Sequence, residues 1–193
     1  MYVVSGPDPG EGKREAASAR LVESLKELCE QAGKFDPPIT ITLENGDREV
    51  ERKMLIGQTI EAVEVSEIVR EDYDNFGLTM DLTHFPLLGE DPMESLELAK
   101  GHIKHAHIGN CVTTIGHELY GDKHPRFGIE GGLHGVEEIA DFLEGLKKVG
   151  YLNGSVPSRK PIVSMEVIPI PPVSPGQVIM HTKGILKKVF EIL

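Results

Sequence analysis

Strand-like and helix-like segments alternate along the whole chain, and this alternation most constrains the fold. Short apolar stretches bounded by Gly or Pro predict strands, and the segments after them carry apolar residues at helical spacing. The predicted strands are 2–6, 39–44, 78–82, 103–108 and 161–167. The predicted helices are 13–31, 58–71, 93–100, 136–149 and 176–192. This order is typical of an α/β fold with a parallel sheet.

Within the predicted strands, polar residues alternate with apolar ones toward the C-terminal end. Thr40, Thr42 and Glu44 share one face of the second strand, because side chains two residues apart lie on the same side. The same spacing recurs in the later strands for Thr79 and Asp81, His105 and His107, and Ser164 and Glu166. A parallel strand buried on both faces is normally hydrophobic throughout. We therefore expect the polar face to line the mouth of a barrel.

Four of these polar side chains stand at or near the ends of successive strands, namely Glu44, Asp81, His107 and Glu166. Catalytic residues of parallel β/α barrels come from the C-terminal ends of several strands. Three carboxylates and one imidazole, without a thiolate, suit hard or borderline divalent cations. The sequence therefore predicts a single divalent-metal site at this end of the sheet.

The charge and composition of the chain argue against several classes of binding partner. The chain has 31 acidic and 20 basic residues, a formal charge of −11, which argues against nucleic acid as the main partner. Its two cysteines, Cys29 and Cys111, form neither a disulfide framework nor a C-x-x-C motif. Residues 1–7 lack the features of a secretory signal, and no apolar run approaches the length of a membrane span. We expect no membrane association and a cytoplasmic location.

The strand ends resemble motifs of the xylose isomerase-like superfamily of TIM barrels. The resemblance is to its sugar or sugar-phosphate isomerases and epimerases, and to AP endonuclease family 2. The motifs are Leu43-Glu44, Met80-Asp81-Leu82-Thr83-His84, His105-Ala106-His107-Ile108-Gly109 and Met165-Glu166, within residues 38–169. The resemblance implies a single domain over residues 1–193, built as a partial (β/α)8 barrel. About five C-terminal β/α units would be present, and the N-terminal strands would be lacking.

The same resemblance implies a chemistry. Glu44, Asp81, His107 and Glu166 would bind one divalent ion, Mn²⁺, Co²⁺ or Mg²⁺. The ion would act as a Lewis acid on a small sugar substrate and stabilise an enediolate. Glu44 and Glu166 would be the catalytic acid/base pair, and His84 would lie near a substrate oxygen. We predict that His105, one layer deeper, supports the site without binding the ion.

The segment 121–128 lies in a long polar loop and has three interpretations. In the isomerases this region closes over the substrate, so Arg126 and His124 would bind it, with Arg126 clamping a hydroxyl or a phosphate. In AP endonucleases of the endonuclease IV type, an Asp-x-His such as Asp122 and His124 binds an additional zinc. A solvated loop is the third interpretation. Asp47 and Arg48 either resemble an Asn-Arg pair of the epimerases or form a plain surface turn.

Two alternatives to the isomerase remain open at this stage. The first is a zinc phosphodiesterase similar to endonuclease IV. The second is an inactive barrel fragment, because five of eight units leave an open sheet edge that invites pairing. Such a chain would be a truncated product, one domain of a longer chain, or a protomer of a homo-oligomer that completes its barrel.

Overall fold

The computed structural model describes residues 1–154 and 160–193 of the chain. The strands are Tyr2–Val4 (β1), Ile41–Glu44 (β2), Phe76–Asp81 (β3), Ile103–Ile108 (β4) and Val163–Met165 (β5). The helices are Arg14–Gly33 (α1), Thr59–Arg70 (α2), His84–Leu88 (α3), Pro92–Leu98 (α4), Val136–Lys148 (α5) and Pro175–Ile192 (α6). No helix within these two ranges is long and apolar enough to cross a membrane.

The strands form one parallel sheet whose order, β1-β2-β3-β4-β5, follows the chain. Successive long helices contact one another, α1 with α2, α2 with α4, α4 with α5, and α5 with α6. In a doubly wound sheet the strand order reverses at a switch point, whereas a barrel wall keeps the order of the chain. The architecture is therefore that of a partial TIM barrel, as predicted.

All five predicted strands and all five predicted helices are present, with ends that move by a few residues. The last strand shortens most, from 161–167 to Val163–Met165. Helix α3 was not predicted, because five residues are too few to show a helical period. Its first residue is His84, which is buried rather than placed in an open loop.

The core lies between the sheet and the helices. Phe76, Leu78 and Met80 alternate along β3 and are fully buried, as the strand period requires. Helix α5 contributes a buried stripe of Ile139, Phe142, Leu143 and Leu146. Burial of one such side chain stabilises the folded state by roughly 1.5–3 kcal/mol. This packing holds the strands in place beneath the polar ends.

Cross-strand hydrogen bonds confirm the predicted polar face. The Thr79 hydroxyl donates to the Thr42 hydroxyl over 2.7 Å. His105 Nε2 lies 2.8 Å from the Ser164 hydroxyl oxygen. Each of these four residues lies two positions before a predicted ligand, so the bonds form a layer directly beneath the strand ends.

Candidate metal centre

The four predicted ligands converge in one cluster. Nδ1 of His107 lies 2.8 Å from Oε1 of Glu44 and 2.8 Å from Oε2 of Glu166. With Asp81, each residue offers a ligand atom within 4.8 Å of the others. Glu44, Asp81 and His107 are buried, and Glu166 is half-buried. We call these four residues the first cluster.

Strand register places the ligands at a common level. Parallel pairing puts Asp81 of β3 beside His107 of β4. Glu166 follows β5 directly, and its backbone N–H donates to the carbonyl of Ile108 over 2.9 Å, which continues the pairing. Asp81 Oδ1 accepts the backbone N–H of Thr83 over 2.8 Å, and this bond fixes the carboxylate plane.

Burial and neighbouring charges shift the pKa values of residues in the first cluster. Burial raises the pKa of Glu44. Burial opposes the imidazolium form of His107, but the neighbouring carboxylates of Glu166 and Glu44 outweigh it and raise the pKa of His107 to about 10. The His107 ring beside Glu166 lowers the pKa of that carboxyl group.

The first cluster fits a divalent ion by its donors. Nδ1 of His107 carries at most one proton, and its hydrogen bond goes to Oε1 of Glu44. Among the described residues, the buried oxygens Asp81 Oδ2 and Glu166 Oε2 then have no hydrogen-bond partner. Buried carboxylate oxygens normally have partners. A divalent cation would engage these oxygens and the imidazole nitrogen together, so the residues present suit such an ion.

A second cluster adjoins the first and shares Asp81 with it. Asp81, His84 and His124, all buried, form a further group that could hold a metal ion. Oδ1 of Asp122 lies 2.7 Å from Nε2 of His124 and 3.5 Å from Nε2 of His84. We call Asp81, His84, Asp122 and His124 the second cluster.

Hydrogen bonding fixes the tautomer of His84. Its Nδ1 lies 2.6 Å from the carbonyl oxygen of Asn45, so Nδ1 carries a proton and donates it. Nε2 therefore faces the carboxylates. Burial opposes the charged ring, but Asp81 and Asp122 outweigh it and raise the pKa of His84 to about 10. Burial likewise disfavours ionised Asp122, yet the His124 and His84 rings beside it hold its pKa well below the usual range.

The loop between β2 and α2 brings an arginine to the second cluster. Asp47 is buried, and its carboxylate accepts the backbone N–H groups of Val50, Glu51 and Arg52 over 2.7–2.8 Å. Nε of Arg52 donates to Oδ2 of Asp122 over 2.7 Å. The sequence analysis missed Arg52, because no motif marks it and its partner is 70 residues away.

Asp47 and Arg48 do not form a plain surface turn, because Asp47 is buried. Asp47 folds the loop, and Arg48 forms a two-point ion pair with Glu61 over 2.8 and 2.6 Å. Glu61 in turn accepts the backbone N–H of Gly57 over 2.9 Å at the start of α2. Both residues therefore hold the loop between β2 and α2 in place.

The residues predicted to bind substrate separate into two groups. His84 and His124 lie in the second cluster, next to the predicted ligands. Arg126 is exposed and belongs to neither cluster, while its backbone carbonyl accepts from Asn110 Nδ2 over 3.2 Å. Substrate binding by these three residues stays a prediction. His105 lies beneath His107, with ring centroids 4.5 Å apart, and is in neither cluster of the described chain.

Comparison with known proteins identifies the family of this architecture. A family model described as a xylose isomerase-like TIM barrel matches residues 1–167. No curated protein matches the chain significantly. The match covers β1 to β5 and every residue of both clusters.

Solved structures agree with this match. AP endonuclease, family 2, from Brucella melitensis is 20% identical, covers 81% of this chain and 51% of its own, and gives a TM-score of 0.58. D-allulose 3-epimerase from Methylomonas sp., in complex with D-allulose, is 21% identical, with coverages of 97% and 57% and a TM-score of 0.63. The IolI protein with a bound zinc atom is 21% identical, with coverages of 99% and 60% and a TM-score of 0.60.

These similarities establish the fold. At about one-fifth identity they do not transfer a substrate or a reaction to this chain. The chain spans 51–60% of the length of these three solved proteins.

Proposed function

The chain belongs to the xylose isomerase-like TIM barrel family, and from this premise we propose that it carries the metal centre of a sugar or sugar-phosphate isomerase or epimerase. The observation that carries the proposal is the first cluster, whose ligand atoms lie within 4.8 Å of one another. The epimerase relationship supports a ketose as the substrate class. Catalysis by the whole protein is part of the proposal, because the chain spans little more than half of such relatives.

Glu44, Asp81, His107 and Glu166 would hold the divalent ion, expected to be Mn²⁺, Co²⁺ or Mg²⁺. When bound, the ion supplies Lewis-acid stabilisation of negative charge on the substrate's carbonyl and hydroxyl oxygens. The donor set of three carboxylates and one imidazole suits each of these cations.

Glu44 and Glu166 would move the proton. One carboxylate accepts a proton from the carbon next to the carbonyl group, and the other returns a proton from the opposite side. Return to the same carbon gives an epimer, whereas return to the neighbouring carbon gives an isomer. Support comes from their placement: Glu44 ends β2 and Glu166 follows β5, with the strands of Asp81 and His107 between them in the sheet.

The test is proton exchange at the substrate carbon. The purified chain is incubated with Mn²⁺ in deuterated water, with D-fructose or D-allulose as the probe ketose. Deuterium at the carbon next to the carbonyl is then followed by NMR. We expect metal-dependent exchange that Glu44→Gln and Glu166→Gln each lower by about 10²-fold or more. Glu27→Gln, at an exposed position of α1, is the matched control and should exchange like the wild type.

Two results would contradict the proposal. If the chain binds none of Mn²⁺, Co²⁺ and Mg²⁺, the proposed metal centre is wrong. If the chain binds metal but deuterium exchange is equally fast in the wild type, Glu44→Gln and Glu166→Gln, the assignment of the acid/base pair is wrong.

The second cluster supports a second candidate function, a zinc phosphodiesterase similar to endonuclease IV. His84, Asp122 and His124 lie together as the Asp-x-His interpretation of the sequence anticipates. Zn²⁺-dependent nicking of DNA at abasic sites, lost in His124→Ala, would favour this function. Absence of nicking at micromolar protein would exclude it. The charge of −11 disfavours a polyanionic substrate.

A further inference from the structure

Each carboxylate oxygen of Asp122 has a nitrogen atom of the protein close to it, but only Oδ2 accepts a hydrogen bond among the described residues. Oδ2 accepts Nε of Arg52 over 2.7 Å, and Oδ1 lies 2.7 Å from Nε2 of His124. The Asp122 side chain is 3% exposed, whereas that of Arg52 is 50% exposed. The guanidinium therefore covers the solvent side of the second cluster, and the imidazoles face its interior.

Arg52 is anchored at its backbone as well as at its side chain. Its N–H donates to Oδ2 of Asp47 over 2.8 Å, and Asp47 is buried completely. The loop also packs closely against the segment that carries Asp122, because a Cβ added at Gly121 would lie 2.9 Å from Oε2 of Glu51. A second ion pair, Lys123 with Glu51, joins the same two segments. The position of Arg52 is thus built into the fold.

We propose that the positive charge of Arg52 takes the place of a metal ion at the second cluster. Arg52 would thereby limit this centre to one metal ion. The idea rests on the proposed function, since it assumes that the first cluster takes the catalytic ion. It deepens that function by assigning a one-metal isomerase site and excluding a multi-metal phosphodiesterase site.

The ligands for a second ion are otherwise in place. Nε2 of His84 points at the carboxylates because Nδ1 is held by the Asn45 carbonyl oxygen, and Nε2 of His124 lies beside Asp122. An ion bound by these two nitrogens and Asp81 would lie beside the Asp122 carboxylate, whose negative charge the Arg52 guanidinium already neutralises. The positive charges of the ion and the guanidinium would also repel each other, with partial screening by solvent because the Arg52 side chain is 50% exposed. Arg52 therefore neutralises the Asp122 carboxylate and repels a second ion.

The experiment counts ions per chain. Wild type and Arg52→Gln are loaded with excess Co²⁺ or Zn²⁺, freed of unbound metal by gel filtration, and measured by elemental analysis. Visible absorption of Co²⁺ reports coordination independently of activity. We expect one ion in the wild type and two in Arg52→Gln, with the second site gaining at least about tenfold in affinity.

Lys123→Gln is the matched control. It removes the other ion pair between the same two segments but leaves the guanidinium on Asp122, so it should still bind one ion. Arg52→Lys keeps the positive charge and should also bind one. Adding Asp122→Asn to Arg52→Gln should return the count to one. If Arg52→Gln does not fold, Arg52→Met takes its place, because it keeps an unbranched stem without the charge.

The outcomes separate this inference from the proposed function. If the wild type and Arg52→Gln bind the same number of metal ions per chain, the inference is wrong, whatever that number is. A second ion in Lys123→Gln or Arg52→Lys also overturns it, because loop opening rather than charge would then be the cause. A wild type that binds no ion contradicts the proposed function, whereas a gain of one ion in Arg52→Gln would still support the role of Arg52.

Discussion

Oε1 of Glu44 lies 2.8 Å from Nδ1 of His107, although β3 separates their two strands in the sheet. In a flat sheet, strands two apart are about 9.5 Å from each other, and their side chains stand parallel. The contact therefore requires inward-pointing side chains on a curved wall. It places three carboxylates and an imidazole in one small volume before any ion binds.

Metal binding should stabilise the folded chain. At a free Mn²⁺ concentration of 100 times its Kd, we expect a gain of about 2.7 kcal/mol in the free energy of unfolding. Glu166→Gln should lose most of this gain, because it replaces a charged ligand at the half-buried side of the first cluster. Urea denaturation with Mn²⁺ and with chelator measures both. An equal gain in the wild type and Glu166→Gln would exclude Glu166 as a ligand.

Gly109→Ala should disturb the second cluster without changing any ligand. A Cβ at this position would lie 2.2 Å from the Thr83 hydroxyl oxygen and 2.6 Å from Nδ1 of His124. We expect a loss of about 1–3 kcal/mol in stability, as for other overpacked sites. Thermal and urea unfolding provide the measurement, and an unchanged transition would show that His124 can move freely.

Gly184→Ala is the counterpart in α6 and should have the opposite sign. Nothing lies within 4 Å of a Cβ at this position. Alanine in the interior of a helix is favoured over glycine by about 0.5–1 kcal/mol. A stability increase of this size in Gly184→Ala would show that the stability loss in Gly109→Ala comes from steric overlap at that position. The change in backbone entropy would not explain the loss.

Glu61→Ala should weaken the start of α2. The Glu61 carboxylate accepts the N–H groups of Gly57 and Gln58 over 2.9 and 3.1 Å, and it pairs with Arg48. We expect a loss of about 1–2 kcal/mol in the free energy of unfolding near neutral pH. Glu64→Ala, an exposed position in the same helix, should change stability by less than about 0.5 kcal/mol.

The Glu61 effect should depend on pH. Burial raises the pKa of Glu61, but the hydrogen bond from Arg48 and those from the backbone outweigh it, so the pKa is lowered overall. Its stabilisation is therefore present above the unfolded-state pKa and is lost as pH falls through the folded-state pKa. The difference between wild type and Glu61→Ala should shrink on acidification. A difference that grows at acidic pH would contradict this ion pair.

The two cysteines should be unreactive in the native protein. Cys29 and Cys111 are 1% and 0% exposed, and burial raises their pKa values to about 11 and about 12. A rise of two pKa units lowers the thiolate fraction roughly 100-fold near pH 8, and the thiolate is the species that is alkylated. Iodoacetamide labelling followed by mass spectrometry should therefore require unfolding. Rapid labelling of either residue in the native state would contradict its burial.

The candidate site was predictable where a residue's role follows from its place in a strand. Glu44, Asp81, His107 and Glu166 stand at strand ends on the polar face, and the structure brings them together. Arg52 gave no such signal, since it lies in a loop whose shape depends on Asp47. Arg126 has an exposed side chain outside both clusters, and its contact with substrate stays a prediction.

The sequence by itself determined the order of strands and helices, the inward face of each strand and the donor atoms of the first cluster. These follow from local periodicity, which the backbone geometry of a strand or a helix imposes on neighbouring residues. Only the tertiary structure decided that His84 and His124 gather beside Asp81, and that Arg52 pairs with Asp122 next to them. Those contacts join residues far apart in the chain, and they depend on how two loops pack over the curved end of the sheet.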